Sequence, residues 1–206
     1  MFATKNLKAN CVIKEINKSD NNYNLKIFYP ETKYLELNEI IKKEIDKQMN
    51  EFLKSVSKPF DAKGKYQLII NFDSYEYHNY ISFVFNVFID TLGAHPNTYC
   101  YTINYDTKNK KNVTIQELVD KNKNILNILS KVSYDTLKEE NKINEYGDLD
   151  MLKEGTLPIA QNFEKFVFTN IGLKLFFNRY DVAPYVSGEF CVMVPYDTIK
   201  IDKSFN

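Results

Sequence analysis

Tryptophan is absent, and arginine occurs once, at Arg179, although lysine and arginine together number 27. Bidentate clamping of phosphate or carboxylate suits the planar guanidinium far better than the ammonium, so it has one candidate residue in the chain. An excess of one charge is also missing: 27 acidic residues balance the 27 basic ones. That balance removes the long-range attraction by which nucleic acid or an anionic membrane surface captures a basic protein. Cysteine is scarce. Cys11, Cys100 and Cys191 are odd in number and lack CxxC spacing, so neither a disulfide framework nor a zinc knuckle is specified, and one long-range disulfide with a spare thiol stays open. No apolar run is long enough to span a bilayer as a helix; the most hydrophobic stretch, Ile81 to Leu92, is broken by Asn86 and Asp90. Met1 to Asn10 carries no apolar export-signal region, which leaves open a cytoplasmic protein or a segment separated from its anchor. There is no HExxH, no EF-hand spacing, no GxGxxG and no phosphate-binding loop, so no metal or nucleotide cofactor is expected.

What is present is enough apolar material for a packed core. Hydrophobic residues make up 44% of the 206, with 15 tyrosines and 15 phenylalanines, and this points to one compact domain with sheet packing. Val12 to Tyr29 reads as two strands around the polar cluster Asn17 to Asn22, with Tyr29-Pro30 ending the second strand because proline cannot donate to a ladder. Leu37, Ile41, Ile45, Met49, Phe52 and Val56 recur at helical spacing, with Asn38 as the expected N-cap and Ser57 and Pro59 as the stop. Tyr66 to Phe72 and Ile81 to Ile89 alternate around His78-Asn79. Thr98 to Tyr105 adds a third strand, so an antiparallel meander is predicted with Ile81, Phe83, Phe85, Val87 and Ile89 facing the core.

Thr114-Ile115-Gln116-Glu117 has the pattern of a capping box and predicts a helix start. A further helix runs from Ile125 to Lys138, and Glu139 to Gly155 reads as a loop with a short helix. The last quarter returns to strands at Phe163 to Phe168, Leu173 to Phe177 and Phe190 to Val194, with a bend from Tyr180 to Gly188. The expected fold is α+β: an antiparallel meander, a long helix on one face, two further helices and a C-terminal strand group.

Two local patterns carry a resemblance. Gly93-Ala94-His95-Pro96-Asn97, then the strand Tyr99 to Asp106, then Val113-Thr114-Ile115-Gln116-Glu117-Leu118, resembles one region of the RsiV-like domain family. Phe166 to Arg179, followed by Tyr180, Ala183-Pro184-Tyr185 and Gly188, resembles its closing strand pair and bend. This domain of unknown function occurs in the anti-sigma factor RsiV and in the non-catalytic part of the peptidoglycan deacetylase PdaC. The resemblance implies an N-terminal companion lobe at about 10–60, a core at about 61–201, and an extracytoplasmic setting. It also implies a non-catalytic sensor or binding role with lysozyme as partner. The alternative it supports is a cell-wall glycan-binding module; an uncharacterised hydrolase comes third.

Pro184 and Tyr185 are the first candidate partner-binding residues, because a tyrosine on a stiffened bend offers amphipathic contact area at low entropic cost. The competing reading turns Tyr185 inward with its hydroxyl capping a loop. His95 and Asn97 join them from the facing loop. His95 also lies near Asp90 and Cys100 in sequence, which suggests a Cys-His-Asp triad, but its plainer role is to hydrogen-bond the backbone of the 93–97 turn. Tyr99, Tyr101 and Tyr105 form either a sugar-stacking row or ordinary sheet packing. No residue is assigned as catalytic.

Overall fold

The computed structural model describes residues 9–56, 64–139 and 149–199. Strands β1 (Val12–Ser19) and β2 (Tyr23–Glu31) form the opening hairpin. Its turn is held by the Asp20 carboxylate, which accepts the N–H groups of Asn22 and Tyr23 at 2.7 and 2.9 Å. β2 does not stop at Tyr29. Pro30 stays in the strand opposite Ile13, and it is tolerated because the pairing of β2 with β3 has already ended at Ile27.

Helix α1 (Leu35–Ser55) buries Leu37, Ile41, Ile45, Gln48 and Phe52, a stripe repeating every three or four residues. It begins after Tyr34, one turn before the expected cap. Asn38 instead locks the approach to the helix: its Oδ1 accepts the Thr32 N–H and hydroxyl at 2.8 and 2.9 Å, and its Nδ2 donates to the Thr32 carbonyl at 2.8 Å. The expected stop at Ser57 and Pro59 lies outside the described residues.

α1 is the crossover of a βαβ unit, for β3 (Tyr66–Tyr77) runs parallel to β2. Strands β4 (Tyr80–Asp90), β5 (Asn97–Asp106) and β6 (Lys111–Asn112) then continue as the predicted antiparallel meander, giving the sheet order β1-β2-β3-β4-β5-β6. On the face toward α1, Ile81, Phe83, Phe85 and Val87 are buried and Ile89 is half-buried at the strand end. The tyrosines of β5 belong to this core. Tyr101 stacks on Phe85 with centroids 4.8 Å apart, the Tyr99 hydroxyl donates to Gln48 of α1, and Tyr105 is fully buried. Sheet packing is therefore the role of the tyrosine row.

A second sheet, β7 (Phe166–Phe168), β8 (Gly172–Phe177) and β9 (Phe190–Pro195), lies against the other face of the first. Phe163 falls in a 3-10 turn (Ala160–Phe163), so β7 is shorter than the alternation suggested. β7 is an edge strand, and polar side chains of the large sheet satisfy its backbone. Thr102 Oγ1 accepts the Phe166 N–H at 3.2 Å, Asn104 Nδ2 donates to the Phe166 carbonyl at 2.8 Å, and Ser82 Oγ accepts the Phe168 N–H at 3.1 Å. Between the sheets pack Val84, Cys100 and Val167, with Tyr75 and Phe176 beside them. The outer side of the second sheet is covered by α2 (Ile115–Lys121), α3 (Ile125–Glu139) and α4 (Leu149–Gly155), whose Ile115, Leu118, Leu129 and Leu152 share a core with Phe166, Leu175 and Val192. At the start of α2 the Glu117 carboxylate accepts the Thr114 N–H at 3.0 Å. Residues 140–148 of the expected loop lie outside the described residues. A last short helix, α5 (Tyr196–Ile199), follows β9. The layers are thus helix, sheet, sheet, helices: an α+β fold.

Candidate functional site

Two connections meet at one end of the large sheet: the loop between β4 and β5, and the bend between β8 and β9. Each contains a non-glycine residue in the left-handed region, Leu92 (φ 57°) in the first and Tyr180 (φ 69°) in the second, a backbone conformation that surrounding contacts must enforce. In the loop the Asp90 carboxylate accepts the Leu92 N–H at 2.8 Å. In the bend Gly188 supplies φ 83°, where a side chain would be strained.

Asn178 fastens the bend to β5. Its Oδ1 accepts the Cys100 N–H at 2.7 Å and its Nδ2 donates to the Cys100 carbonyl at 3.1 Å. The Asn178 N–H donates to Asp181, whose carboxylate also pairs with Lys165 at 2.9 Å. From below, α4 presses its last residue on the bend: a Cβ at Gly155 would overlap the Asp181 carbonyl. Val182 and Ala183 are buried, Pro184 is half-buried, and a 3-10 turn (Tyr185–Ser187) follows.

Tyr185 joins the two connections. Its hydroxyl donates to the Pro96 carbonyl at 2.8 Å, and its ring centroid lies 4.0 Å from that of His95. His95 is exposed, and its Nδ1 is 3.0 Å from the same Pro96 carbonyl, the distance of a donated hydrogen bond. Arg179 completes the cluster. Its Nε donates to Thr98 Oγ1 at 2.9 Å, an Nη donates to the Tyr185 carbonyl at 2.8 Å, and its Cζ lies 4.3 Å from the Tyr185 ring centroid. Glu189 pairs with Arg179 at 3.7 Å and accepts the Thr98 hydroxyl. Around this framework Tyr180 is 60% and Val186 70% exposed.

Of the residues expected at a site, His95 and Tyr185 are in contact, Pro184 leads into the 3-10 turn, and Asn97 is exposed as the first residue of β5. The triad of Cys100, His95 and Asp90 is not assembled: Cys100 is buried between the sheets, where desolvation pushes its thiol up to about 12, and the side-chain hydrogen bonds of His95 and Asp90 lie within their own loop. Thr98, Asn178 and Glu189 escaped prediction as members of this cluster. The one signal pointing to them was the solitary arginine next to Asn178. Among the described residues no three His, Cys, Asp or Glu side chains gather as a metal-ligand set, and no helix is long and apolar enough to cross a membrane.

Beside the Arg179–Glu189 pair, the second sheet leaves part of the large sheet uncovered as a groove of about 510 Å³. Its floor is two cross-strand rows, Ile69–Phe88–Thr98 and Asn71–Asn86.

Residues 116–197 match the family model described as a protein of unknown function, DUF3298. The matched segment runs from α2 into α5 and contains the bend but not the β4–β5 loop. The chain is 27% identical over 195 residues to the peptidoglycan-N-acetylmuramic acid deacetylase PdaC of Bacillus subtilis (strain 168); the match takes in 89% of this chain and 41% of PdaC, so the chain spans less than half of that relative. Two crystal structures of DUF3298 proteins share the fold. One, from Pseudomonas aeruginosa PAO1, has a TM-score of 0.65 at 14% identity, covering 96% of this chain and 94% of its own. The other, from Bacteroides fragilis NCTC 9343, has a TM-score of 0.61 at 16% identity, covering 95% and 94%.

Proposed function

We propose that the chain is a non-catalytic binding domain of the cell envelope, and that its protein-facing surface is the tip built by the β4–β5 loop and the β8–β9 bend. The observation that carries this reading is a rigid framework presenting exposed apolar groups. Tyr185 and Arg179 tie the two connections together, while Tyr180 and Val186 remain 60% and 70% exposed. Groups held in place before binding lose little entropy on contact, and a tyrosine with an apolar neighbour is the common make-up of an interface anchor. The envelope setting is supported by the likeness to PdaC, a peptidoglycan-N-acetylmuramic acid deacetylase. The RsiV-like resemblance of Gly93–Asn97 and Ala183–Tyr185 supports lysozyme as the partner.

Biolayer interferometry with the chain and several lysozymes tests this. Saturable binding is expected, with Tyr180→Ala and Val186→Ala each weakening it by about 1 kcal/mol or more and leaving the melting temperature unchanged. These exposed positions are cleaner probes than Tyr185, whose hydroxyl also holds the Pro96 loop. Failure of every lysozyme to bind, or binding by both variants as tight as that of the unmodified chain, sinks the proposal. A second expectation is that the chain shows no turnover of peptidoglycan, esters or peptides; activity abolished by His95→Ala with the fold intact would reverse it.

A further inference from the structure

The uncovered groove has a composition that the protein-facing tip does not explain. Its volume of about 510 Å³ lies inside the range of roughly 300–1,000 Å³ in which small ligands are bound. Side chains of a strand alternate between faces, so Ile69 and Asn71, Asn86 and Phe88, and Thr98 on their three neighbouring strands all point to this side. One row is apolar over Ile69 and the half-buried ring of Phe88; the next consists of the amides Asn71 and Asn86, which are cross-strand partners. The rim carries one cation and one anion, Arg179 and Glu189, already paired with each other.

Each feature narrows the ligand. With Arg179 paired to Glu189 and the Asp73 carboxylate 3.5 Å from the Asn86 amide, the groove has no surplus positive charge for a phosphate or a carboxylate. A purely apolar ligand would cover amide groups without satisfying them. The Asn71 Oδ1 atom is already buried without a hydrogen-bond partner, a condition that calls for an explanation in a folded chain. Rotation of this half-buried amide toward the groove would bring its oxygen to a ligand N–H or hydroxyl. The required ligand is neutral, has one C–H face to lie on Phe88 and Ile69, and has an edge of hydroxyl and amide groups to exchange hydrogen bonds with Asn71 and Asn86.

A pyranose ring bearing an acetamido group meets these conditions. We propose that this groove is a binding site for a neutral oligosaccharide of N-acetylhexosamine units, adjoining the protein-facing tip through Arg179 and Glu189 but not including its exposed Tyr180 and Val186.

Calorimetric titration of the whole chain alone with the tetrasaccharide of N-acetylglucosamine tests the assignment. Saturable binding is expected. Asn86→Ala, at an exposed position, and Phe88→Ala should each weaken it at least tenfold, and Tyr180→Ala should leave it unchanged. Melting temperatures of both groove variants check the fold, and Asn86→Ala carries the test if Phe88→Ala is destabilised. Absence of saturable binding, parent-like binding by Asn86→Ala, or tighter binding of the cationic glucosamine tetrasaccharide would overturn the proposal. Because lysozyme is absent from this titration and Tyr180 lies outside the groove, the outcome is independent of the protein-binding reading.

Discussion

Cys100 and Cys191 are a matched pair of probes for the layer between the sheets. Cys100 is buried beside Val84 and Val167, and burial raises its thiol to about 12, whereas Cys191 is exposed on β9. A thiol reagent at pH 8 should therefore give a fast equivalent that Cys191→Ser abolishes, with Cys100 reacting only on unfolding; rapid modification of Cys100 in the native chain would mean that the sheets part easily. Asp106 is a second informative residue. Burial by itself would raise its carboxyl, but hydrogen bonds from the Asn109 backbone and side chain and the Lys108 backbone outweigh that and hold it below the ordinary value. A depressed carboxyl contributes stability that is present above its unfolded pKa, about 3.9 for aspartate, and lost as pH falls through the folded value. The melting temperature should accordingly fall on acidification below about pH 4, and Asp106→Asn should flatten part of that fall; an unchanged slope would assign the effect to other acids. Tyr185 marks the limit of reading single residues from sequence. Whether it turned inward or outward was undecidable locally, because the answer depends on the Pro96 carbonyl 89 positions away, and the residue does both: its hydroxyl caps the loop while its ring borders the exposed tip.

Among the elements, those that bury one face against α1 were the most legible. Period-two alternation located β3, β4 and β5 and identified their core face, because that face is mostly apolar while the other carries more polar residues. Phe85 shows no exposed surface and lies against Phe72 and Tyr101, so Phe85→Ala should cost about 3–5 kcal/mol in chemical denaturation. A loss under 1 kcal/mol would mean that the site collapses around the deletion. The parallel pairing of β2 with β3 was not legible, since the same alternating residues satisfy either direction and the choice falls to the α1 crossover. The polar residues of β4 and β5, Ser82, Thr102 and Asn104, were equally opaque. They look like a solvent-facing side, yet they serve the backbone of β7, a strand that arrives some 60 to 90 residues later. Gly155 was another silent position. Gly155→Ala should lower the melting temperature by several degrees by pushing α4 from the Asp181 carbonyl, and an unshifted transition would show that the bend moves aside freely.

For the molecule as a whole, the two sheets depend on each other. The segment 116–197 contains the second sheet and its helices but none of the three side chains that satisfy β7. Expressed alone, it should lack a cooperative thermal transition, because the backbone groups of β7 would lose their partners and the inner face of the second sheet its cover; a sharp transition in that fragment would show that the first sheet is dispensable. The fold class was readable because it rests on many repeated local signals, whereas the site rests on a few contacts between distant loops. One of those contacts has an effect beyond the site. Asn178 meets the Cys100 backbone with both ends of its amide, in the manner of a neighbouring strand, on the side of β5 away from β4. A single side chain thus occupies a place where another molecule could begin to zip onto this one. Asn178→Ala would vacate it, and slow self-association of a still folded protein, beyond the modest fall in melting temperature from losing both bonds, is the form its loss should take.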